Sequence, residues 1–484
     1  MNRAVILRIA IYILGILALI MLVPLVMAAI LGEVEMLRAF GIPIALMLAA
    51  AIPTVILSHG KPVSFSTADG FLLVFLAWVL ICLLGALPFA LSGYFDGFTD
   101  AVFESTSGFT TTGATMLGDV EAIPRSLVFW RALTHWLGGM GIVVLMVALL
   151  PVIGVGGFQL LRAESPGPET DRIAPRITRT AGILWSLYLG LTVLQILLLR
   201  LGGMSWFDAA FHAFSTMGSG GFSSMNNSIA SYHSPWIEWV CIVFMTLAGF
   251  NFTLIYQALR GRFSEIINNS EAKAYAAIIL ISVSLVTLSL LFQDSGAVPA
   301  TLGENIRYAF FQVTSTLSTT GLSATDQDLW PPLAKGVIFL LMFIGGCSGS
   351  TAGGIKIIRH IILFKQTGNE MKRLIYPKGV FSIRLNNTTG RKDAVYGVAG
   401  FVFLYLLLVL VTFVVVSTSG TDLFSALNVA LISLGNIGMG FGKMDSLIHS
   451  LPDWQKWFLS LMMIAGRLEL WSAFVCFSRD YWRR

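Results

Sequence analysis

The chain has 484 residues, 56% of them hydrophobic and 12% charged, with a formal net charge of +5 and a mean hydropathy of +0.80. Soluble domains carry about twice that share of charge, so a soluble class is excluded and a polytopic membrane protein is expected. The positive balance is no nucleic-acid signature, because the basic residues gather in particular loops.

In chain order, residues 1–66 hold two apolar runs behind Arg3 and Arg8. Ala28-Ala29 is a weak cleavage cue, but the first run exceeds a usual signal-peptide core and a second follows at once. Two spanning helices at the periphery of the fold are expected. One unit then recurs four times: an apolar span, a short amphipathic segment, a hydroxyl- and glycine-rich stretch, and a second apolar run. Repeat 1 (67–155) has spans 71–91 and 127–152 around Thr111-Thr112-Gly113. Repeat 2 (156–265) has spans 177–201 and 236–259 around Gly218-Ser219-Gly220. Repeat 3 (266–390) has spans 274–292 and 333–364 around Thr319-Thr320-Gly321. Repeat 4 (391–484) has spans 395–416 and 454–477 around Asn436-Ile437-Gly438. The marker glycines lie 107, 101 and 117 residues apart. An all-α fold of about ten spans is predicted.

The amphipathic segments, 100–106, 207–214, 306–313 and 422–431, are too short to cross a bilayer and predict re-entrant half-helices. The backbone after each is irregular, and such backbone is tolerated at membrane depth only inside protein or along a watery cavity. Four such stretches on one axis would present a ring of carbonyl oxygens that replaces the water shell of a monovalent cation. Glycine turns the carbonyl inward and leaves the lumen clear. Helix caps and loops are the plainer reading of any one copy; four copies in one context favour the filter.

Basic residues of the inter-repeat loops, such as Arg162, Arg172, Arg260, Lys372 and Arg391, fall on one face with Arg3 and the terminal Arg484. Both termini should then be cytoplasmic. The filter face carries Asp96, Asp100, Glu104, Asp119, Glu121, Asp208, Asp326, Asp328, Asp422 and Asp445. These would concentrate cations, although capping is the better reading of Asp100, Asp208 and Asp422. Cys82, Cys241, Cys347 and Cys476 have no pairing or metal spacing and are expected as buried thiols without disulfides.

The second spans share pairs of small residues, Gly138-Gly139, Ala248-Gly249, Gly345-Gly346 and Ala465-Gly466, which suit close helix packing. Copy three departs. Residues 345–354 contain Gly345, Gly346, Gly349, Gly353 and Gly354, and each glycine costs a helix about 1 kcal/mol relative to Ala. A helix broken inside the membrane is predicted, with its uncharged linker as a gate. A phosphate cradle is the rival, but it lacks the Gly-Lys-Ser/Thr order. Copy four places Arg467 at mid-span, where a charge costs about 2.5–3.5 kcal/mol on the lenient insertion scale. It should face the interior, either beneath the filter, bonded to residues 345–354, or in an ion pair with Glu104 or Glu469. Arg131, His135, Asn251 and Arg307 are expected as inter-helix struts.

These features together resemble the Trk/Ktr/HKT superfamily of potassium uptake proteins; length and the two leading helices resemble its TrkH branch. The resemblance covers the whole chain. It implies that Gly113, Gly220, Gly321 and Gly438, with the residues just before each, coordinate dehydrated K⁺. It implies that residues 345–354 gate the pore and that Arg467 lies beneath the filter. It further implies K⁺ uptake across a bacterial inner membrane, with K⁺ as the transported ion and no organic cofactor. The implied partners are a second copy of the chain and a cytoplasmic, TrkA-like, nucleotide-binding ring. Copies two and four depart from Thr-Thr-Gly, which leaves their coordinating atoms open. The alternative is a secondary K⁺ transporter coupled to H⁺ or Na⁺; it would favour inverted repeats, whereas these four run in one direction. The pore subunit of the potassium-pumping ATPase is a related alternative. No enzymatic motif, P-loop or Ser–His pair stands out.

Overall fold

The computed structural model describes residues 3–58, 67–141, 177–292, 301–379, 381–385, 388–389, 392–442 and 444–483. The loop basic residues Arg162, Arg172, Arg176 and Arg391, the second half of span 127–152, and Arg484 lie outside the described residues.

Among the described residues six helices are long and apolar enough to cross a membrane. Two are the leading pair, Arg3–Leu31 and Val34–Ser58, which pack on each other and against repeat one. Four open the repeats: Thr67–Gly85 continued by Leu87–Leu91, Ile177–Leu201, Ser270–Phe292 and Lys392–Ser417. Leu19, Val23, Val193, Leu197, Leu280 and Leu410 stay exposed on these helices, which is the apolar exterior a bilayer requires. The only strands among the described residues are Arg384–Leu385 and Thr388–Thr389, antiparallel with Arg384 opposite Thr389. All four cysteines are buried and unpaired to one another.

Inside this shell stand four half-helices, Phe98–Phe109, Trp206–Gly218, Leu302–Leu317 and Leu423–Gly435. Three begin on side-chain caps: Ser205 accepts from the Asp208 amide, Thr301 from Glu304 and Asp422 from Ser425. Each satisfies a donor that the first helical turn leaves open. Asp422 is therefore a cap as expected. Asp100 is not: its carboxylate accepts from Lys456 at 2.7 Å, both side chains being buried.

The second helices differ from expectation. Spans 236–259 and 454–477 read as continuous, but Pro235–Ala248 meets Phe252–Leu259 at 104°, and Asp453–Arg467 meets Trp471–Phe477 at 115°. In repeat two Asn251 restarts the chain by capping Thr253 and Leu254. In repeat four Glu469 and Leu470 take positive φ, which no helix continues through. In repeat three Pro332–Leu341 ends before the glycine-rich segment, and a helix resumes at Ile357–Ile375. The break seen in the sequence of one copy thus recurs in every copy whose second helix is described that far.

Candidate ion pathway

Each half-helix ends in the same way. In repeat one the Thr112 amide reaches back to Ser107 O and Thr111 to Gly108 O; in repeat three Thr320 reaches Ser315 and Thr319 reaches Thr316. Gly220 and Ser219 bond Ser215 and Thr216, and Ile437 bonds Ile432. These are the reverse bonds of a left-handed helix cap. The left-handed residue is Thr111, Ser219, Thr319 or Asn436, with φ between 51° and 57°. This pattern corrects the register of repeat two. Ser219 matches Thr111 and Thr319, so Gly221, not Gly220, matches Gly113 and Gly321, and Gly218 matches Thr110. Their φ values agree: +80° at Gly113, +86° at Gly221 and +81° at Gly321.

The four stretches meet at one centre. A Cβ on Gly113 would lie 1.9 Å from Gly220 O and 2.9 Å from Gly438 Cα. One on Gly321 would lie 2.2 Å from Gly438 Cα, and one on Gly438 would lie 2.8 Å from Thr320 O. Backbone faces backbone from all four repeats, with no room for side chains. Just outside lies a cavity of about 680 Å³ whose wall includes Ala114, Ser323, Gln327, Gly438 and Met439. Among the described residues no carboxylate lines it; the acidic residues of this face stand around it. Several of these carboxylates hold loops of this face by hydrogen bonds from neutral donors. Asp208 accepts from Ser205 and Ser224, and Asp328 accepts from the Gly442 amide. Asp119 and Glu121 hold Asn226, whose amide keeps the Asp119 carboxyl below its usual range. The Asp445 side chain lies outside the described residues.

A shell of polar side chains fixes these backbones. Thr112 Oγ1 bonds Thr110 Oγ1 and accepts from Asn436 Nδ2; Thr320 Oγ1 bonds Ser318 Oγ. His135 lies between the glycine stretches of repeats one and two. Its Nδ1 can only donate to Gly108 O, 2.7 Å away, so its Nε2 accepts from the Phe222 amide at 3.2 Å, and the ring stacks on Phe222. Arg131 and Glu104 form a buried pair at 2.6 Å, and the same carboxylate accepts from Thr115 Oγ1 and the Met116 amide. Arg307 pairs with Glu238. Of the four expected struts, Arg131, His135 and Arg307 join separate elements, whereas Asn251 caps a helix.

Next to the four glycine stretches, residues 345–354 form a folded-back segment. Its base is closed by Gly345 N bonding Ile355 O and Ile357 N bonding Gly346 O. Gly345 and Gly353 touch: a Cβ on Gly345 would lie 2.1 Å from Gly353 O, and one on Gly353 would lie 2.3 Å from Gly435 O. Gly346 packs on Gly249 O, while Gly349 and Gly354 take positive φ. Thr351 is 2% exposed. Lys356 Nζ donates to Ala352 O. Arg467 Nη1 donates to Thr351 O at 2.8 Å and Nη2 to Gly138 O and Gly139 O at 2.5 and 2.7 Å. The ion-pair alternative fails for both named partners, because Glu104 is taken by Arg131 and Glu469 by Arg359 at 2.5 Å. The small-residue pairs do pack closely: a Cβ on Gly138 would lie 1.9 Å from Phe109 O, and one on Gly466 would lie 2.2 Å from Leu434 O.

Residues 38–483 match the model of the TrkH family, described as a cation transport protein. The chain belongs to the TrkH family. It is 40% identical over 418 residues to the Trk system potassium uptake protein TrkH of Escherichia coli, covering 86% of each chain. It is 39% identical over 421 residues to that of Halomonas elongata, again covering 86% of each. The crystal structure of the potassium transporter TrkH from Vibrio parahaemolyticus superposes with a TM-score of 0.88 at 31% identity, over the full length of both chains. The TrkH fold thus accounts for the repeated half-helices and the paired breaks beneath them.

Sequence reasoning missed two features of this TrkH-family chain. Gly221 was hidden by its neighbour Gly220, since either could end the motif. Glu271, at the start of an apolar span, belongs to no motif in the sequence. In the fold it accepts from the Ser348 amide, Ser348 Oγ and the Ile358 amide.

Proposed function

We propose that this chain conducts K⁺ into the cell through a gated, channel-like pore of the bacterial inner membrane. Thr111–Gly113, Ser219–Gly221, Thr319–Gly321 and Ile437–Gly438 supply the filter carbonyls. Residues 345–354 form the gate, and Arg467 adds a positive barrier beneath the filter. Both termini are cytoplasmic, two copies associate, and a cytoplasmic nucleotide-binding ring of the TrkA kind opens the gate. The potassium uptake named for the relatives above supports the choice of ion. The observation that carries the reading is the approach of four uncharged backbone stretches around one centre with a glycine-rich segment directly inside it. The driving force would be the membrane potential, about 2.3 kcal/mol per charge per 100 mV.

Coupled transport has less support. Glu104, Glu238 and Glu469 are each paired with an arginine, and Glu271 is bonded to two amides and a hydroxyl. Recording from purified protein in planar bilayers should give discrete K⁺-selective current steps. Slow, saturable flux that follows the proton gradient would favour the coupled transporter instead. Arg467→Ala should raise K⁺ flux through protein that folds normally; unchanged flux would remove the barrier role.

A further inference from the structure

The left-handed residues that end the half-helices share backbone geometry but not partners. Ser219 Oγ lies 2.7 Å from Thr351 Oγ1. Thr351 Oγ1 donates to Ala248 O at 3.1 Å, so in that bond Ser219 is the donor. Thr319 Oγ1 accepts from the Gly353 amide at 2.7 Å. On the other side of the ring, the Asn436 amide is spent on Thr112 Oγ1 and Met463 O, and Thr111 Oγ1 has no hydrogen-bond partner. Ser219 and Thr319 are both wholly buried.

The two ends of the gate segment are held differently. Its base is clamped by Glu271, which takes the Ser348 amide at 2.7 Å, Ser348 Oγ at 2.6 Å and the Ile358 amide at 3.1 Å. Its filter-facing part, here called the tip, is Thr351–Gly353; it is held by the Ser219 and Thr319 hydroxyls, by Arg467, by Lys356 on Ala352 O, and by the Thr351 amide and hydroxyl on Ala248 O. Glycine would occupy a left-handed cap with less strain than serine or threonine. The hydroxyls are what glycine could not supply.

We propose that Ser219 and Thr319 are latch residues: filter-forming residues of repeats two and three whose hydroxyls hold the tip of the gate segment closed. This rests on the gated-pore reading above. Opening then breaks bonds that the inner end of the filter itself makes, while Glu271 keeps the base of the segment in place. Ser219 and Thr319 act here as positioning residues.

The test is single-channel recording of the full-length protein, without cytoplasmic regulator, read as the open-to-closed ratio. Ser219→Ala and Thr351→Val should each raise that ratio several-fold. Ser219→Ala combined with Thr319→Ala should raise it by roughly tenfold, as expected for two buried neutral hydrogen bonds. Thr351→Val removes the bond it shares with Ser219 and its own bond to Ala248 O, so adding Ser219→Ala should change little beyond Thr351→Val alone. Ser219→Thr, which keeps the hydroxyl, should restore the ratio toward wild type. Thr351→Val leaves the filter untouched and carries the test if a filter variant fails to fold. Additive effects, or an unchanged ratio with wild-type steps still present, would overturn the latch alone. Wild-type protein without discrete steps would overturn the gated pore and the latch together.

Discussion

Gly113→Ala is expected to abolish selective K⁺ uptake, measured as growth on limiting K⁺ and as K⁺ over Na⁺ flux in vesicles. Two effects add. The residue sits at φ +80°, where a side chain is strained by about 1–2 kcal/mol. The larger effect is contact: the new Cβ would fall 1.9 Å from Gly220 O, a backbone atom that cannot rotate away. That carbonyl must shift, and it belongs to the set facing the centre. A barrier change of about 1.4 kcal/mol already lowers flux tenfold, so at least that loss is expected. Gly190→Ala is the control, since nothing lies within 4 Å of its Cβ position. Full K⁺ selectivity in Gly113→Ala would remove the filter role of this backbone.

Arg131→Met is expected to cost roughly 3–5 kcal/mol of stability, the range for losing one partner of a buried pair. It should appear as a lowered Tm in detergent and poor recovery of monodisperse protein. Arg131 and Glu104 are 1% and 0% exposed, so removing the guanidinium strands a carboxylate with only Thr115 and the Met116 amide to satisfy it. It also removes a cation from the face of Phe222, 4.1 Å away, next to Gly221. Arg373→Ala is the contrast. Its pair with Glu370 is about half exposed, and such pairs contribute about 0–1 kcal/mol. Equal Tm values for the two variants would show that the buried pair does not stabilise the fold.

Much of the architecture was legible because the repeat writes it four times. A hydroxyl- and glycine-rich stretch between apolar runs has few uses at membrane depth, and Thr111–Gly113 and Thr319–Gly321 name the same turn almost letter for letter. The glycine cluster at 345–354 and the lone Arg467 were equally plain, since both are costly in an ordinary span. What failed was local. Gly220 and Gly221 are adjacent, and only the reverse bond from Gly220 to Ser215 settles their register. The bends in repeats two and four rest on one cap, Asn251, and on two backbone angles, at Glu469 and Leu470. Glu469 and Leu470 do not signal a break by type, and Asn251, though a favoured cap residue, also suits a strut between helices.

Arg467 joins three quarters of the molecule: it belongs to repeat four, and its guanidinium grips Gly138 and Gly139 of repeat one and Thr351 of repeat three. A planar fork with five donors can reach both sides at once, whereas a lysine offers three donors from a single point. Lysine at this position would keep the charge but lose the tether. The guanidinium thus works as a crossbar, and withdrawing it would require neighbouring quarters to part in concert.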